Sequence, residues 1–572
     1  MDPLQPFLEA VERCVDDALR QLGVSAELPM EMPDASIADF AFPCFSLAKS
    51  LRKAPAVIAQ DLASRISPSD LIERVWADKG YLNFKVKDHE LGRLTLQEII
   101  HKREDYGQEE RKEVRVLLEH TSVNPTGPIH IGRARNPLIG DTLARCLRKG
   151  GYDVTTEYLV NDVGRQVVLL SWGVRTIPSD EIRLASDRQK EDHVLVGYYQ
   201  KANELMESSK EVEGEVAAMT RAFEDGDAKV IAQVRDTAER MLGGIRQSLD
   251  AVNVHIDNYT WESQFILNGE ARKVVERLKS TSYCHEEEGA YYLDLSEFGI
   301  HGRDTKFFFT RSDGTTLYTT RDMAYHLDKF KRADQLINVL GEDQKLGQAQ
   351  LAAALKILGE EKAPECLYYA FVSLPEGRMS TRKGVVVCLD DLIDEAEGRA
   401  YEEVRKRRTD LSEEKMREIA RDIGRGALRF NIVRVQAEKQ IVFKWEEALN
   451  FEGNSAPFVQ YAHARCCSIL AKAGGFEHAV EPDLLNDPYE RKLIRILAQY
   501  PSVVRDCGAK RRIHLMPAYG QEVASAFNQF YAYVPVLRSG EHQAARLTLV
   551  EATMWALRGV LGSLGVAAPE EM

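Results

Sequence analysis

The sequence predicts an α/β multidomain protein with an α+β N-terminal domain, a central domain on a parallel sheet and an all-α C-terminal domain. Three observations predict this. A strand, a helix and a second strand follow one another within residues 114–160, which is the unit of a parallel sheet. Residues 1–105 mix helical and alternating patterns, and nearly every segment after Asp390 has helical periodicity. With 572 residues, 44% of them apolar, the chain can bury several cores.

Residues 1–105 are expected to form the N-terminal domain. The chain opens with an amphipathic helix, and "KGYLNFKV" alternates apolar and polar side chains, as a half-buried strand does. The charged run from His101 to Glu113 is typical of a linker. The central domain should therefore begin near residue 110.

Residues 110–390 are expected to form the central domain. "VRVLLEH" and "DVTTEYLV" predict strands on either side of an amphipathic helix in "NPLIGDTLARCLRKGG". Charged helical patterns between Ser171 and Asp257 indicate an insertion, after which "QLINVLG" and "LYYAFVSL" resume the strand pattern. Because parallel strands end at a common edge, a nucleotide site is expected there.

The remaining residues predict two helical parts, a stem at 391–450 and a domain at 451–572. The net charge of −14 argues against a protein that coats nucleic acid nonspecifically, although a local basic face is still possible. Three basic clusters are candidates for such a face, and the alternative for each is a solvated helix surface. They are Arg405 to Arg408; Arg421, Arg425, Arg429 and Arg434; and Lys510 to Arg512.

The cysteines and the apolar runs limit the class of protein further. The nine cysteines are scattered and never spaced as Cys-x-x-Cys, so neither a disulfide framework nor a zinc knuckle is expected. No apolar run approaches the roughly 20 residues that span a bilayer, and the N-terminus is not signal-like. A cytoplasmic protein without membrane contact is expected.

The loop "SVNPTGPIHIGRARN" joins the first central strand to its helix. A strand-to-helix loop offers free backbone N–H groups and the positive end of a helix dipole, both of which suit phosphates. Gly127 and Gly132 allow close approach of the backbone, and His130 and Arg133 would donate to phosphate oxygens. The loop therefore predicts a nucleotide site.

Two segments within this framework resemble family motifs. "HIGR" at residues 130–133 resembles the HIGH motif of class I aminoacyl-tRNA synthetases, and "RMSTRKG" at 378–384 resembles their KMSKS loop. Within that class, "EHTSVNPTGPIHIG", "EYLVNDVGRQ", "LYTTRD", "MSTRKG" and "GALRF" resemble arginyl-tRNA synthetases over nearly the whole chain.

The resemblance implies an arginine–tRNA ligase with a Rossmann-type catalytic domain and an anticodon-binding helical bundle. It implies that L-arginine, tRNA(Arg) and ATP are the partners, that ATP enters as its Mg²⁺ complex, and that the protein is a monomer. No tightly bound cofactor and no metal ligand from the protein are expected. The resemblance also implies that arginine activation waits for tRNA binding, which would order the pocket.

The resemblance also assigns site residues. The nucleotide and the reacting phosphate would be contacted by the HIGR loop and the KMSKS-like loop. The residues are Gly127, His130, Gly132, Arg133, Met379, Ser380, Arg382 and Lys383. Neither the activation of arginine by ATP nor its transfer to tRNA needs a side-chain nucleophile. These groups are therefore expected to act by positioning the substrates and by stabilising charge.

A second set is assigned to arginine. The guanidinium group is a planar, permanently charged fork that carboxylates bind with two hydrogen bonds, so its pocket should contain acids. We expect Asp322 to bind the α-amino group, Glu119 and Gln344 to bind the guanidinium group, and Tyr318 to form a wall. The full set is Glu119, Asn124, Tyr318, Asp322 and Gln344.

The motifs depart from the family pattern at three positions. Arg133 replaces the second histidine of HIGH, and Thr381 stands where the KMSKS loop usually has a lysine. Many arginyl enzymes that lack this lysine place one just before HIGH, but that position is Gly127 here. Our hypothesis is that Arg133, with Lys383 or Arg378, supplies the missing charge; the alternative is a surface ion pair of Arg133.

The tRNA contacts are expected in both flanking domains. "GALR" at 426–429 resembles the signature of the DALR anticodon-binding domain, and Tyr461 and Tyr531 would stack on unpaired bases. The alternative for both tyrosines is a structural role in the helical core. "GYLNF" resembles the family's N-terminal domain that touches the tRNA elbow, so Tyr81 and Asn83 would contact the D-loop.

Three other functions are weighed against this interpretation. A synthetase of the same class for glutamate or glutamine would need a cationic or amide pocket rather than Glu119. A noncatalytic tRNA-binding protein would explain the altered motifs, but it would have no reason to keep all five arginine-site residues. A nucleotidyltransferase with a HIGH-type fold would not need the long helical C-terminal part.

Overall fold

The structure is a computed structural model and describes residues 2–33, 37–184, 187–373 and 387–572. Within these ranges it contains the three predicted parts, so the fold class is confirmed. None of the helices in the described ranges is both long enough and apolar enough to cross a membrane.

The N-terminal domain packs helices on a three-stranded antiparallel sheet. Its strands lie in the order β1-β3-β2, and the strand predicted in "KGYLNFKV" is β3, at the centre of this sheet. The elements are α1 (Gln5–Gln21), β1 (Phe40–Pro43), α2 (Ala48–Leu51), α3 (Pro55–Arg65), β2 (Ile72–Asp78), β3 (Tyr81–Val86) and α4 (Asp88–Lys102).

The central domain begins with β4 and continues to β12. Its elements are β4 (Arg115–Glu119), α5 (Arg135–Lys149), β5 (Asp153–Val160), α6 (Arg165–Thr176), α7 (Glu191–Ser208), α8 (Lys210–Glu224), α9 (Ala228–Ala251), β6 (Asn258–Trp261), α10 (Gln264–Leu267), α11 (Glu270–Lys279), β7 (Cys284–Glu287), β8 (Ala290–Asp294), β9 (Lys306–Phe308), α12 (Tyr318–Arg332), β10 (Gln335–Gly341), α13 (Lys345–Ile357), β11 (Glu365–Tyr369) and β12 (Val372–Ser373).

The main sheet of this domain has five parallel strands in the order β11-β10-β4-β5-β6. The chain first adds strands on one side of β4 and then returns to add β10 and β11 on the other. The strand order therefore reverses between β4 and β10, and ligands bind at such a reversal in open parallel sheets. We call the space beyond the carboxyl ends of these two strands the crevice.

Three features of the central domain were not predicted. The strand β6 is short, and its sequence "NYTW" alternates polar and aromatic residues without an apolar run. An antiparallel sheet of β7, β8 and β9 follows it, and its first strand is the charged "CHEE". The predicted single strand "LYYAFVSL" is two strands, because β11 ends at Tyr369 and β12 begins at Val372.

The C-terminal part is helical apart from one two-residue strand, as predicted. That strand, β13, pairs in parallel with β12 and so ties the helical part to the central domain. The elements are α14 (Leu389–Arg407), α15 (Glu413–Val433), β13 (Ile441–Val442), α16 (Trp445–Ala448), α17 (Ala456–Ala473), α18 (Pro488–Ala498), α19 (Tyr500–Ala509), α20 (Leu515–Tyr533) and α21 (Gln543–Ser563).

One predicted basic face does not exist as such, because Arg429 is fully buried. Its guanidinium donates to Asp141 Oδ2 at 2.5 Å and to the Leu564 carbonyl at 2.6 Å. Although burial alone raises the pKa of Asp141, Arg429 and Arg145 hold it below its usual value. The "GALR" arginine thus joins α15 to α5 and to the C-terminal tail, and it does not face RNA.

The cluster from Arg405 to Arg408 lies on a solvated surface and is matched by its own acids. Lys406 and Arg407 both contact Glu403, and Arg408 contacts Asp410 and Glu571. Such exposed pairs contribute little to stability, but they leave little uncompensated positive charge for a phosphate backbone.

Candidate active site

Two walls face each other across the crevice. The β4 wall, residues 119–136, consists of the end of β4, the HIGR loop and the start of α5. The β10 wall, residues 341–345, consists of the end of β10 and the start of α13. Both follow from the sheet, since β4 and β10 pair in parallel with Glu119 opposite Asn338.

The loop directly after β4 is held in a strained conformation. Thr121 and Ser122 have φ of 71° and 38°, which is unfavourable for residues with a Cβ, above all for a β-branched one. Asn136 Oδ1 accepts from Thr121 N at 2.8 Å, and Ser122 Oγ accepts from Leu159 N at 3.1 Å. Backbone strain of this kind costs about 1–3 kcal/mol and persists where the surroundings fix it, often at functional sites.

His130 is fixed by its own loop. Its Nδ1 accepts from Gly132 N at 3.0 Å, so the neutral ring carries its proton on Nε2. The backbone on both sides pairs with the start of α14, because Ile131 N donates to Val387 O at 3.0 Å and Leu389 N donates to Ile129 O at 2.8 Å. His130 is therefore anchored by the start of α14 as well as by its own loop.

Arg133 reaches across the crevice. Its guanidinium lies 3.3 Å from Asp343 Oδ2 and 5.5 Å from the centre of the Phe371 ring, and its side chain is 43% exposed. Gly341 makes this possible, because a Cβ there would lie 2.4 Å from Asp343 Oδ1. The ion pair that was the alternative for Arg133 is present, and its half-exposed guanidinium still has donors for a phosphate.

Gly127 lies against the helical insertion. A Cβ at this position would lie 3.2 Å from Val196 Cγ2 on α7. The position that carries a lysine in many arginyl enzymes is thus covered by α7.

Glu119 is buried and already neutralised. Its Oε2 lies 2.6 Å from Lys329 Nζ, and its Oε1 accepts from Ser122 Oγ at 3.0 Å. Lys329 also donates to Asn338 Oδ1 at 2.9 Å. A fully buried ammonium therefore offsets the charge that the sequence assigned to the guanidinium of arginine.

Asp322 is the more open acid of the pocket. It lies deep in the crevice, yet 31% of its side chain is accessible, and His326 Nδ1 donates to it at 3.0 Å. Asn338 Nδ2 lies 3.0 Å from His326 Nε2, so a continuous chain of contacts joins Asp322 to Glu119. Although burial alone raises the pKa of Asp322, His326 and Lys329 hold it below its usual value, so the carboxylate is ionised.

The other residues assigned to arginine line the rim. Tyr318 begins α12 with 68% of its side chain exposed, and Asn124 and Gln344 are also exposed. The Gln344 amide donates to Asp343 Oδ2 at 3.3 Å. The structure thus brings the assigned residues around one crevice, although Tyr318 does not form a closed wall in this conformation.

Sequence reasoning missed a buried acid, Glu262, directly after β6. Its Oε1 accepts from Arg321 Nε at 2.5 Å, and the Asn161 amide, oriented to satisfy both of its ends, donates to Oε2 at 3.0 Å. Burial raises the pKa of Glu262, Arg321 opposes the shift, and Asp162 and Asp322 add to it. A polar residue at the end of a sheet strand usually indicates a site residue of this kind, but the strand β6 was not predicted from the sequence.

Comparisons with known proteins agree with this geometry. Family models match three parts of the chain: "tRNA synthetases class I (R), catalytic domain" at 95–445, "DALR anticodon binding domain" at 459–572 and "Arginyl tRNA synthetase N terminal domain" at 9–86. An arginine–tRNA ligase of Methanocella arvoryzae is 47% identical over 99% of both chains. The chain belongs to the arginyl-tRNA synthetase family. It is an arginine–tRNA ligase, as predicted.

Further relatives of this arginyl-tRNA synthetase family member cover almost its whole length. The arginine–tRNA ligase of Methanothermobacter thermautotrophicus is 41% identical over 97% of both chains. The arginyl-tRNA synthetase structure of Thermus thermophilus superposes with a TM-score of 0.83 at 29% identity, covering 99% of this chain and 100% of that one. The match to the DALR model begins after "GALR", which lies in α15.

The KMSKS-like loop of this arginyl-tRNA synthetase spans residues 378–384. The assigned residues Met379, Ser380, Arg382 and Lys383 lie outside the described residues, as do Arg378 and Thr381. Their roles stay predictions from the motif.

The DALR domain of this arginyl-tRNA synthetase exposes the two predicted tyrosines. Tyr461 and Tyr531 are 43% and 44% exposed, so they are not core residues. The Arg465 guanidinium lies between them, 4.6 Å from one ring centre and 5.0 Å from the other. An aromatic and cationic platform of this kind suits unpaired bases.

The N-terminal candidates differ from each other. Tyr81 is partly exposed and packs edge-on against the exposed Phe45 at 5.4 Å, whereas Asn83 is 3% exposed. The position of Tyr81 and Phe45 offers an aromatic surface, but the Asn83 side chain is enclosed within the domain.

Proposed function

We propose that arginine and ATP bind side by side in the crevice, with arginine towards Asp322 and ATP against the HIGR loop. The observation that carries this proposal is the contrast between the two acids. Asp322 is ionised and accessible, whereas Glu119 is enclosed and paired with Lys329. A cationic substrate gains most from the acid that is accessible and is not already paired with a buried ammonium.

The contrast changes one assignment. Asp322 becomes the partner of the guanidinium group, in place of Glu119, and Glu119 becomes the acid that orders Lys329, Asn338 and His326 behind it. Glu262 and Arg321 hold the start of α12, which carries both Tyr318 and Asp322. Tyr318, Asn124 and Gln344 would complete the pocket when arginine binds.

On the other side, the ATP phosphates would meet the backbone N–H groups at the start of α5, His130 Nε2 and Arg133. Mg²⁺ would enter with ATP and neutralise phosphate charge, and it is not assigned a protein ligand. The HIGR loop then acts by placing donors rather than by transferring protons.

The arginine assignment is tested with two ligands. The KM for L-arginine and the inhibition constant of 5-guanidinopentanoate, which lacks the α-amino group, are each compared between the wild type and Asp322→Asn. If Asp322 binds the guanidinium group, Asp322→Asn should weaken the binding of both ligands by the same factor, about tenfold or more. A loss that appears only for L-arginine would assign Asp322 to the α-amino group instead. Asp328→Asn, on the same helix and paired with Arg332, is the matched control.

For tRNA, the proposal places unpaired anticodon bases on Tyr461, Tyr531 and Arg465, and the tRNA elbow near Tyr81. Removing one stacking ring is expected to cost about 1–3 kcal/mol per base and to raise the KM for tRNA without changing that for arginine. The monomeric state and the cytoplasmic location stay predictions of the sequence.

A further inference from the structure

A buried polar cluster joins the helical insertion to the start of α14, outside the pockets proposed for arginine and ATP. Its members come from the residues just before and within α7, from α9 and from the first turn of α14. They are Lys190, Asp192, His193, Ser248 and Asp390. None of them is among the residues assigned to arginine or to ATP.

Asp390 is at the centre of this cluster. Its Oδ1 accepts from Ser248 Oγ at 2.9 Å, and its Oδ2 lies 2.8 Å from both Lys190 Nζ and His193 Nε2. Burial alone would raise the pKa of Asp390, but His193 and Lys190 lower it to about 2. Both oxygens of an ionised carboxylate are therefore bound by side chains of the insertion.

A second contact, made by Arg188, also attaches the insertion to α14. Arg188 bridges Asp391 Oδ1 and Asp394 Oδ2 at 2.5 Å each. Asp391 Oδ2 in turn accepts from Cys388 N at 2.8 Å and caps α14. Residues 188–193 thus bind residues 388–394 at several successive points.

The attached segment is also the one that pairs with the HIGR loop. Cys388 forms an antiparallel bridge with His130, and the flanking backbone bonds run from Ile131 to Val387 and from Leu389 to Ile129. A shift of the first turn of α14 would therefore displace the backbone of His130.

We propose that Asp390, held by Lys190, His193 and Ser248, is a positioning residue that fixes His130 at the ATP side of the crevice. The insertion at 171–257 then supplies the support for one catalytic loop. The inference rests on the ATP contact proposed for His130.

A metal ion is the competing explanation for the same cluster. Ligand atoms of His193, Cys388 and Asp390 lie within 4.8 Å of one another. The Lys190 ammonium at Asp390 would repel a divalent cation at that point. Burial and Asp391 also raise the pKa of the Cys388 thiol to about 12, whereas metal ligation requires the thiolate. The protein side chains by themselves satisfy the cluster.

The experiment measures steady-state aminoacylation and thermal unfolding of the full chain at pH 7.5. Asp390→Asn should lower kcat at least about tenfold and raise the KM for ATP, while the KM for tRNA stays within about twofold. The control is Asp141→Asn, which removes another buried carboxylate, one that bonds Arg429 and not residues 129–131. It should lower the melting temperature yet keep the KM for ATP.

Two further substitutions keep the test decisive if Asp390→Asn folds poorly. His193→Gln retains a side-chain N–H that can reach Asp390, and it should keep at least about half of the wild-type kcat, whereas His193→Leu should not. Ser248→Ala removes a single hydrogen bond and should lower kcat about threefold.

Three outcomes would overturn the inference. The first is kinetic: kcat and the KM for ATP of Asp390→Asn match those of Asp141→Asn. The second is a tightly bound, stoichiometric metal in the purified protein that is lost in Cys388→Ser. The third is equal activity of His193→Gln and His193→Leu. A His130→Ala reference separates the two proposals, because unchanged ATP kinetics in that variant would refute the role of His130 itself.

Discussion

The two walls of the crevice are built in opposite ways. The β4 wall is largely buried, apart from Asn124 and Arg133, and several elements hold it: Asn136 holds Thr121, Leu159 holds Ser122, and residues 387–389 hold the HIGR loop. The β10 wall beyond Gly341 is exposed from Glu342 to Lys345, and its main contact across the crevice is the pair of Asp343 with Arg133. A fixed wall suits the placing of reacting phosphates, and an open wall suits the entry of substrate.

The largest effect is expected from disturbing the fixed wall at Gly140. A Cβ there would lie 2.3 Å from Cγ of His120, so α5 must move away from β4. Gly140→Ala should destabilise the protein by about 1–3 kcal/mol and reduce kcat, because the HIGR loop leads into α5. Urea unfolding and aminoacylation measure the two effects.

The matched control is Gly243→Ala in α9, where a Cβ meets no atom within 4 Å. It should be neutral or stabilise by up to about 1 kcal/mol, since alanine is the better helix former. Equal stability of the two alanine variants would mean that the fixed wall tolerates movement.

The second effect is a pH dependence of the unfolding free energy, which His120 in the same wall causes. Burial lowers its pKa from 6.5 to about 4, and His120 Nε2 has no partner within the described residues. The unfolded chain therefore takes up a proton more readily than the folded one, and stability falls as pH drops from 6.5 towards 4. Between pH 6.5 and pH 5 the loss should be about 2 kcal/mol.

Urea midpoints at several pH values measure this loss. His120→Gln is similar in size to histidine and cannot be protonated in this range, so its stability should fall less steeply over the same interval. Parallel curves for the variant and the wild type would show that His120 does not control this part of the pH dependence.

How far the sequence could predict these walls depends on where each partner lies in the chain. The strands β4 and β10 were predicted because buried parallel strands are nearly continuous apolar runs. The ion pair of Glu119 with Lys329 was not predicted, because the two residues lie 210 positions apart in the chain. The burial of Arg429 was not predicted either, because its partner Asp141 lies 288 positions away. Motifs identified the residues of the crevice, but their charge state depends on such distant pairs.

The same reason explains the missed Glu262. Its position at the end of a sheet strand has meaning only once β6 is known, and the alternation of polar and aromatic residues in "NYTW" is too short to predict a strand. The strain at Thr121 and Ser122 likewise follows from tertiary hydrogen bonds, because neither residue type favours a positive φ by itself.

The third prediction concerns the contact between the two walls. Arg133→Gln should lower kcat/KM for ATP about 10- to 100-fold, because the chain has no lysine at residue 127 or 381 to replace it. Its stability should stay within about 1 kcal/mol of wild type, as expected for a half-exposed ion pair. Aminoacylation at varied ATP concentration, together with thermal unfolding, measures both.

Asp343→Asn distinguishes the two roles of Arg133. It removes the ion pair but keeps the guanidinium, so ATP kinetics should change no more than about threefold. If both variants lost the same activity, the ion pair rather than a phosphate contact would be what Arg133 contributes.

The smallest effect is expected on the open wall, at Gln344. Its side chain is exposed and donates only one 3.3 Å hydrogen bond among the described contacts, to Asp343, so Gln344→Ala should leave the unfolding free energy within about 0.5 kcal/mol of wild type. If the amide contacts bound arginine, the KM for arginine should rise about two- to fivefold with the KM for ATP unchanged. Steady-state kinetics with each substrate varied in turn measure this. Gln350→Ala, further along the same helix, is the control and should change neither constant. A rise in the KM for ATP alone would place Gln344 beside the nucleotide, and the open wall would then serve both substrates.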